Sequence, residues 1–341
     1  MKKILFLTLI INLCFSEINF SGDARFRPRY DIKENGDNSS TSDLYYLYRA
    51  RLNVKVDIGD GWFFNSKIGT NSVAGMTKMG DVEFTNKPEL SFMEIYFGYQ
   101  DEDCGYWAGL LPLKSNPSLD IHFYYDKLVD IPFVLNSNSS IAGIAGFSTI
   151  FNNKLNWFLS MDENNTNLTV DALDQETESS DVYTLGLDVN FDLGPISTIP
   201  RVIVSMGDED DITPLTYGAE FKLPTFSKIK SSLSYYMSSN GKDGDLVFYE
   251  SNHTRFLITA PIDLLTIGDM SYKGKLKFFY DMASIYNDDV SYLWLSYTQT
   301  CYKGDMGEVT ISPTYRLQNG KPGDTDYSRN KIELTTQIKF K

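Results

Sequence analysis

The feature that most constrains this chain is a two-residue alternation in which the polar face carries more charge than a buried core can hold. From Ile18 to Asp31, Ile18, Phe20, Gly22, Ala24, Phe26, Pro28 and Tyr30 share one parity, and Asn19, Ser21, Asp23, Arg25, Arg27, Arg29 and Asp31 share the other. The pattern recurs. Tyr46, Tyr48, Ala50, Leu52, Val54, Val56 and Ile58 oppose Leu47, Arg49, Arg51, Asn53, Lys55 and Asp57, and Ile332, Leu334, Thr336, Ile338 and Phe340 oppose Lys331, Glu333, Thr335, Gln337 and Lys339. Period two sustained over this length means strands. Soluble sandwiches also alternate, but a face with three arginines in five residues is too costly to bury in a soluble core and is at home in a wet lumen.

Period-two matching along the chain predicts about sixteen strands. Their approximate cores are 17–31, 44–58, 61–71, 88–100, 104–112, 141–150, 154–162, 181–193, 198–207, 215–223, 226–239, 251–263, 270–283, 290–302, 306–319 and 329–340. Short connections with turn chemistry, such as Gly59-Asp60-Gly61, Phe151-Asn152-Asn153, Gly194-Pro195, Pro224-Thr225 and Lys303-Gly304-Asp305, alternate with longer polar stretches. The longer ones are 33–43, 71–87, 112–140, 162–181, 207–214, 239–252, 284–289 and 318–328. An even count, short turns at one end and loops at the other predict an all-β fold, a closed antiparallel transmembrane barrel. In such an up-and-down meander the turns face the periplasm and the loops face outside, and closure leaves no unpaired edge in lipid.

The N-terminus fits export. Lys2 and Lys3 precede the apolar run Ile4–Ile11, and Cys14 and Ser16 place small residues before Glu17. This predicts a signal peptide at 1–16 and a barrel domain at 17–341. Beyond it no apolar stretch reaches the ~18 residues of a membrane helix, so any crossing belongs to strands. The chain has 22 Tyr, 22 Phe and 4 Trp. Aromatics near strand ends, among them Tyr30, Tyr45, Tyr46, Tyr48, Trp62, Phe63, Phe64, Tyr96, Phe97, Tyr99, Tyr106, Trp107, Tyr292, Trp294, Tyr297, Tyr302 and Tyr315, are expected to form girdles at the two membrane interfaces.

With these residues in view, the chain resembles the bacterial outer-membrane porins of about sixteen strands. Arg25-Phe26-Arg27-Pro28-Arg29-Tyr30 and Tyr48-Arg49-Ala50-Arg51-Leu52 look like the arginine-bearing first strands of porin-like proteins. Ile332, Leu334, Ile338 and Phe340 look like the signal read by the barrel-assembly machinery, with Lys341 added after the aromatic. The resemblance is architectural. It implies an outer-membrane location, a homotrimer, outer-membrane lipid as surroundings and a third long loop, 112–140, folded into the lumen as a constriction. The acidic motif of enterobacterial general porins is absent from that loop, so that subfamily is not assigned.

The expected function is a water-filled channel for passive diffusion of ions and small hydrophilic solutes, because a barrel of this strand number leaves an aqueous bore. Arg25, Arg27, Arg29, Arg49, Arg51 and Lys55 form the expected basic pore wall, with Lys67 beside them and Lys273, Lys275 and Lys277 as a second row. Asp120, Asp126 and Asp130 are the expected acids of the constriction loop; the opposing signs leave the ion preference open. The bland alternative is a solvated wall whose arginines pair with Asp23, Asp31 and Asp57. Acidic residues crowd 162–181 and 207–214 and could gather divalent cations, although no Ca²⁺-loop spacing occurs and a solvated face is the simpler reading. No cofactor motif is present, and the charge of −14 argues against a nucleic-acid partner. His122 and His253 are the only histidines, and without a nucleophile elbow an enzyme is not expected. The other alternative is a plugged structural or adhesive barrel. Cys104 and Cys301 fall on the predicted fifth and fourteenth strands, too far apart for a disulfide.

Overall fold

The computed structural model describes residues 17–36, 39–70, 76–79, 90–111, 141–163, 182–206, 215–243, 246–262, 265–267, 270–285, 288–320 and 326–341. Sixteen strands close into one antiparallel barrel. In chain order they are β1 (Glu17–Asn35), β2 (Ser40–Gly59), β3 (Trp62–Thr70), β4 (Leu90–Gln100), β5 (Cys104–Leu111), β6 (Ile141–Ile150), β7 (Asn153–Glu163) and β8 (Val182–Val189). There follow β9 (Ile196–Met206), β10 (Leu215–Lys222), β11 (Lys230–Asp243), β12 (Leu246–Pro261), β13 (Gly274–Ile285), β14 (Asp288–Gly304), β15 (Gly307–Gly320) and β16 (Tyr327–Phe340). Each pairs with its chain neighbours, and β16 closes onto β1, from Gly22↔Phe340 to Asn35↔Tyr327. Closure satisfies the backbone of the first and last strands, which would otherwise be bare edges.

The parity of the sequence becomes the two surfaces of the wall. Phe20, Phe26, Tyr30, Leu44, Tyr46, Leu52, Leu334 and Ile338 are exposed on the outside, whereas buried polar side chains such as Asp23, Asp31, Arg49, Thr310, Lys331 and Glu333 occupy the inside. Among the described residues no helix is long and apolar enough to cross a membrane; the strands carry the apolar surface. At the turn end Trp62, Tyr99 and Tyr106 gather with ring centroids 5.6–6.2 Å apart. Nearer the loop end Phe26 stacks on Tyr46 at 5.9 Å. Not every expected girdle residue is on the outside. Register places Tyr45, Phe63, Tyr96, Trp107, Tyr292 and Trp294 on the inner face, because their parity matches the inner row and not the lipid row.

The turns follow local chemistry. Gly59, Asp60 and Gly61 all have positive φ (102°, 50° and 83°), and Phe151 and Asn152 (49° and 64°) form the left-handed two-residue turn that matches strand twist. Phe151 is 93% exposed at its tip. Four expected boundaries shift. Strands β11 and β12 run to Asp243 and from Leu246, and β13 and β14 to Ile285 and from Asp288, so the loops expected at 239–252 and 284–289 are tight hairpins. Around the first the sequence holds an unbroken apolar run, Leu246 to Tyr249, and around the second a polar run, Asn287 to Asp289; neither alternates, so period matching reads both as loop. Conversely, residues 226–229 belong to a turn closed by Phe226↔Ile229, and β13 starts at Gly274 after a short hairpin pairing Leu265–Ile267 with Met270–Tyr272.

Candidate pore wall

The inner face is not uniform around the barrel. On β15, β16, β1 and β2 it is ionic, organised by three carboxylates. Asp23 lies 3.3 Å from Arg25 Nε, 3.2 Å from Arg49 Nη2 and 2.6 Å from Arg51 Nη2. Its pairing comes from register: Asp23 stands opposite Arg51, and Arg25 opposite Arg49. Glu333, whose side chain is fully buried, accepts from Arg29 Nε at 2.5 Å and lies 2.8 Å from Arg316 Nη2 and 3.7 Å from Arg27 Nη1. Asp31 receives a two-pronged donation from Arg329 Nε and Nη2, both at 2.8 Å. Tyr45 joins the last two clusters: it accepts from Arg29 Nη1 at 3.1 Å and donates to Asp31 at 3.0 Å.

Seven arginines, Arg25, Arg27, Arg29, Arg49, Arg51, Arg316 and Arg329, thus share one band with three carboxylates. Each guanidinium offers five donors in a rigid fork, so a single carboxylate orients several arginines without exhausting them. The band keeps an excess of positive charge against a low-dielectric wall, which focuses its field into the bore.

Around the same side, β12–β14 interleave cations with rings. Arg255 pairs with Asp281 through two contacts of 2.5 Å while its Cζ lies 4.4 Å from the Phe279 ring centroid. Lys277 Nζ is 4.9 Å from Phe279 and 5.5 Å from Trp294, and Arg316 Cζ sits 3.6 Å over Trp294. Phe279 is fully buried between Trp294 and Tyr292, at 5.2 and 5.8 Å. Phe279 and Phe63 are both buried and serve as wall. The rings hold cations at fixed heights by attraction to the π face.

The far side is different. From β3 to β9 the inner face carries Phe63, Tyr96, Trp107, Phe147 and Phe158, with Leu111, Ala145 and Ile203 buried together. Inner-parity glycines make this possible. A Cβ on Gly105 would come within 2.6 Å of the Phe147 ring, one on Gly98 within 2.6 Å of Trp107 Cβ, and one on Gly186 would fall inside the Phe158 ring. The Phe147 and Phe158 rings therefore lie across Gly105 and Gly186 and cover the bare backbone there. Charge is sparse here: Lys67 pairs with Glu94, Arg201 with Asp188 at 3.3 Å, and Lys154 sits 3.6 Å over Phe147.

The expected residues fall as follows. Arg25, Arg27, Arg29, Arg49 and Arg51 are in the ionic band, and Lys55 is on the same face nearer the turn end. Lys67, Lys275 and Lys277 are inner, while Lys273 precedes β13. Asp120, Asp126, Asp130 and His122 lie outside the described residues, as do most of the acidic stretches at 162–181 and 207–214 and the leader 1–16. His253 does not begin a strand; it sits within β12, inner-facing and 3% exposed. Cys104 and Cys301 are free. Sequence reasoning missed the carboxylate hub Glu333 and its partner Arg316, although parity put Glu333 and Lys331 on the charged face; the missing step was that closure brings β16 beside β1. It also missed the aromatic wall, whose signal was glycine at inner parity beside large rings.

Comparison with solved structures defines the class. The anion-selective porin from Comamonas acidovorans superposes with a TM-score of 0.59 at 14% identity, covering 95% of this chain and 100% of that one. The outer membrane channel DcaP of Acinetobacter baumannii gives 0.60 at 12% identity, covering 95% and 97%. The trimer form of OmpT, an outer membrane protein of Vibrio cholerae, gives 0.53 at 10% identity, covering 95% and 99%. The chain has the fold of the outer-membrane porins, a porin-type barrel of sixteen strands. No protein-family model matches it, and no curated protein matches it at the sequence level.

Proposed function

We propose that the protein is an outer-membrane porin, exported by the leader at 1–16, through which ions and small hydrophilic solutes diffuse passively with a preference for anions. The observation that carries the preference is the ionic band, seven arginines held by three carboxylates on one side of the inner wall. A focused positive potential raises local anion concentration and repels cations. Segment 112–140 is the constriction loop in this reading. It leaves from Leu111, which faces inward beside Ala145 and Ile203. Asp120, Asp126 and Asp130 would then trim the field from the opposite side.

A homotrimer in outer-membrane lipid, assembled through the C-terminal strand ending in Phe340, completes the proposal; the Vibrio cholerae relative's trimer form supports it. An enzymatic role fits poorly. A lipid-facing hydrolase needs its histidine at the outer rim, and His253 is buried on the inner wall.

The test is a planar-bilayer recording with the purified full chain. Wild type is expected to open stable ohmic channels, and the triple variant R25Q/R27Q/R49Q to shift the zero-current potential in a KCl gradient toward cations. Channels whose ion preference ignores the triple substitution would refute the assignment, and a barrel that never conducts would instead be plugged.

A further inference from the structure

At the turn end of the ionic side the inner wall opens into a cleft of about 410 Å³ between β1, β2, β16 and the β14–β15 turn. Its lining includes Arg25, Arg51, Lys303, Lys339 and Lys341, against two carboxylates, Asp23 and Glu308. Both carboxylates are already engaged. Asp23 is shared by three arginines, and Glu308 accepts from Lys339 Nζ at 2.7 Å. Lys303 and Lys341 stand exposed at the rim, and Lys341 is positioned by its backbone N–H, which donates to Met306 O at 3.1 Å. The neutral lining is hydrogen-bonding: Ser21, Asn53 and Gln337.

We infer that this cleft is a resting site for a small divalent oxyanion, of the phosphate or short dicarboxylate class, at the periplasmic exit of the pore. The inference rests on the channel reading and adds to it a discrete station outside the proposed constriction. The chemistry is matched in three ways. The cavity is large enough for a solvated tetrahedral anion and polar on its inner side. Guanidiniums splinted by Asp23 keep donors over for a bidentate oxyanion, and Arg forks favour that geometry over a monatomic halide. The cations outnumber the carboxylates by enough to leave a divalent guest compensated, and the two rim lysines meet it first from the periplasmic side.

Calorimetric titration of inorganic phosphate into the detergent-solubilised barrel in chloride buffer tests the site without reference to current. Saturable binding is expected, weakened about threefold or more in K303Q/K341Q, since two charges are lost at contact range in a partly screened setting. The same phosphate added to the chamber facing the turn end should reduce chloride conductance saturably, with the half-blocking concentration raised by the same factor in the variant. Both lysines are exposed and lie outside the ionic band, so the variant's zero-current potential in KCl should move less than that of R25Q/R27Q/R49Q. Absence of saturable phosphate binding, or equal affinity in the variant, overturns the site even where chloride currents are normal. Absence of chloride current with intact phosphate binding overturns the channel reading and leaves the binding site standing.

Discussion

The ionic side, β15 through β2, and the aromatic side, β3 through β9, are built from the same strand geometry and solve the inner wall in opposite ways. On the ionic side, large polar side chains are held upright by shared carboxylates: Glu333 alone organises Arg27, Arg29 and Arg316. On the aromatic side, rings lie across glycines, Phe158 over Gly186 and Phe147 over Gly105, and among the described residues no carboxylate there gathers several cations. The first wall stores its order in charge and is expected to be sensitive to loss of a partner. The second stores it in shape and is expected to be sensitive to added volume. The difference teaches that period two sets only which face a residue occupies. What stands on that face depends on the neighbours that register supplies.

The strongest test of this contrast is at Glu333. E333Q leaves three arginines around a neutral group in a buried position, where breaking such a pairing costs about 3–5 kcal/mol. Urea unfolding of the folded barrel in lipid should show that loss, whereas removal of a carboxylate from the aromatic side, E94Q, which strands one cation, Lys67, and not three, should cost less. Equal losses would break the contrast. Next in size is G186L. Its side chain would displace the Phe158 ring toward the bore, so overpacking of about 1–3 kcal/mol is expected together with a lower single-channel conductance. An unchanged conductance would mean the ring does not border the conducting path. D23N sharpens the electrical side: it releases Arg25, Arg49 and Arg51 from their shared anion, and the reversal potential should move further toward anions.

The smallest effect is expected at the rim of the aromatic side, in the turn after β4. Asp101 accepts from the backbone N–H groups of Asp103 and Cys104 at 2.9 and 2.7 Å and from the Tyr99 hydroxyl at 2.9 Å. The bond from Cys104 N–H, the Tyr99 hydroxyl and the Asp103 N–H hold its carboxyl below the ordinary carboxylate range. Because the folded value is the lower one, the turn's contribution is complete above the unfolded carboxylate pKa and is lost as pH falls through the folded value. Protection of the Cys104 amide, its exchange rate relative to an unstructured amide at the same pH, should be lost only at acid pH, and in D101N it should be low at every pH.

The fold was legible because its signal is repeated. Every strand core expected from alternation overlaps a barrel strand, those at 226–239 and 270–283 beginning four residues early, and the arginines of β1 and β2 declared the inner face, since no lipid-facing row could hold them. Loop-end boundaries were not legible at 239–252 and 284–289, where hairpins leave the apolar band and alternation loses its contrast. The ionic band was half legible. Its cations could be read from parity, but the hubs depend on contacts between residues about 300 positions apart, such as Arg29 with Glu333, that exist only after closure. Aromatics misled in the other direction: Trp294 and Tyr292 read as interface residues until pairing with Arg316 and Gln318 turned them inward.

The central claim is that the cationic band governs what passes. The most direct measurement is the zero-current potential of single wild-type channels under a tenfold KCl gradient. The account predicts a potential of the sign set by chloride, collapsing toward zero or reversing in R25Q/R27Q/R49Q. A potential of the sign set by potassium in wild type, unmoved by the triple substitution, would contradict it.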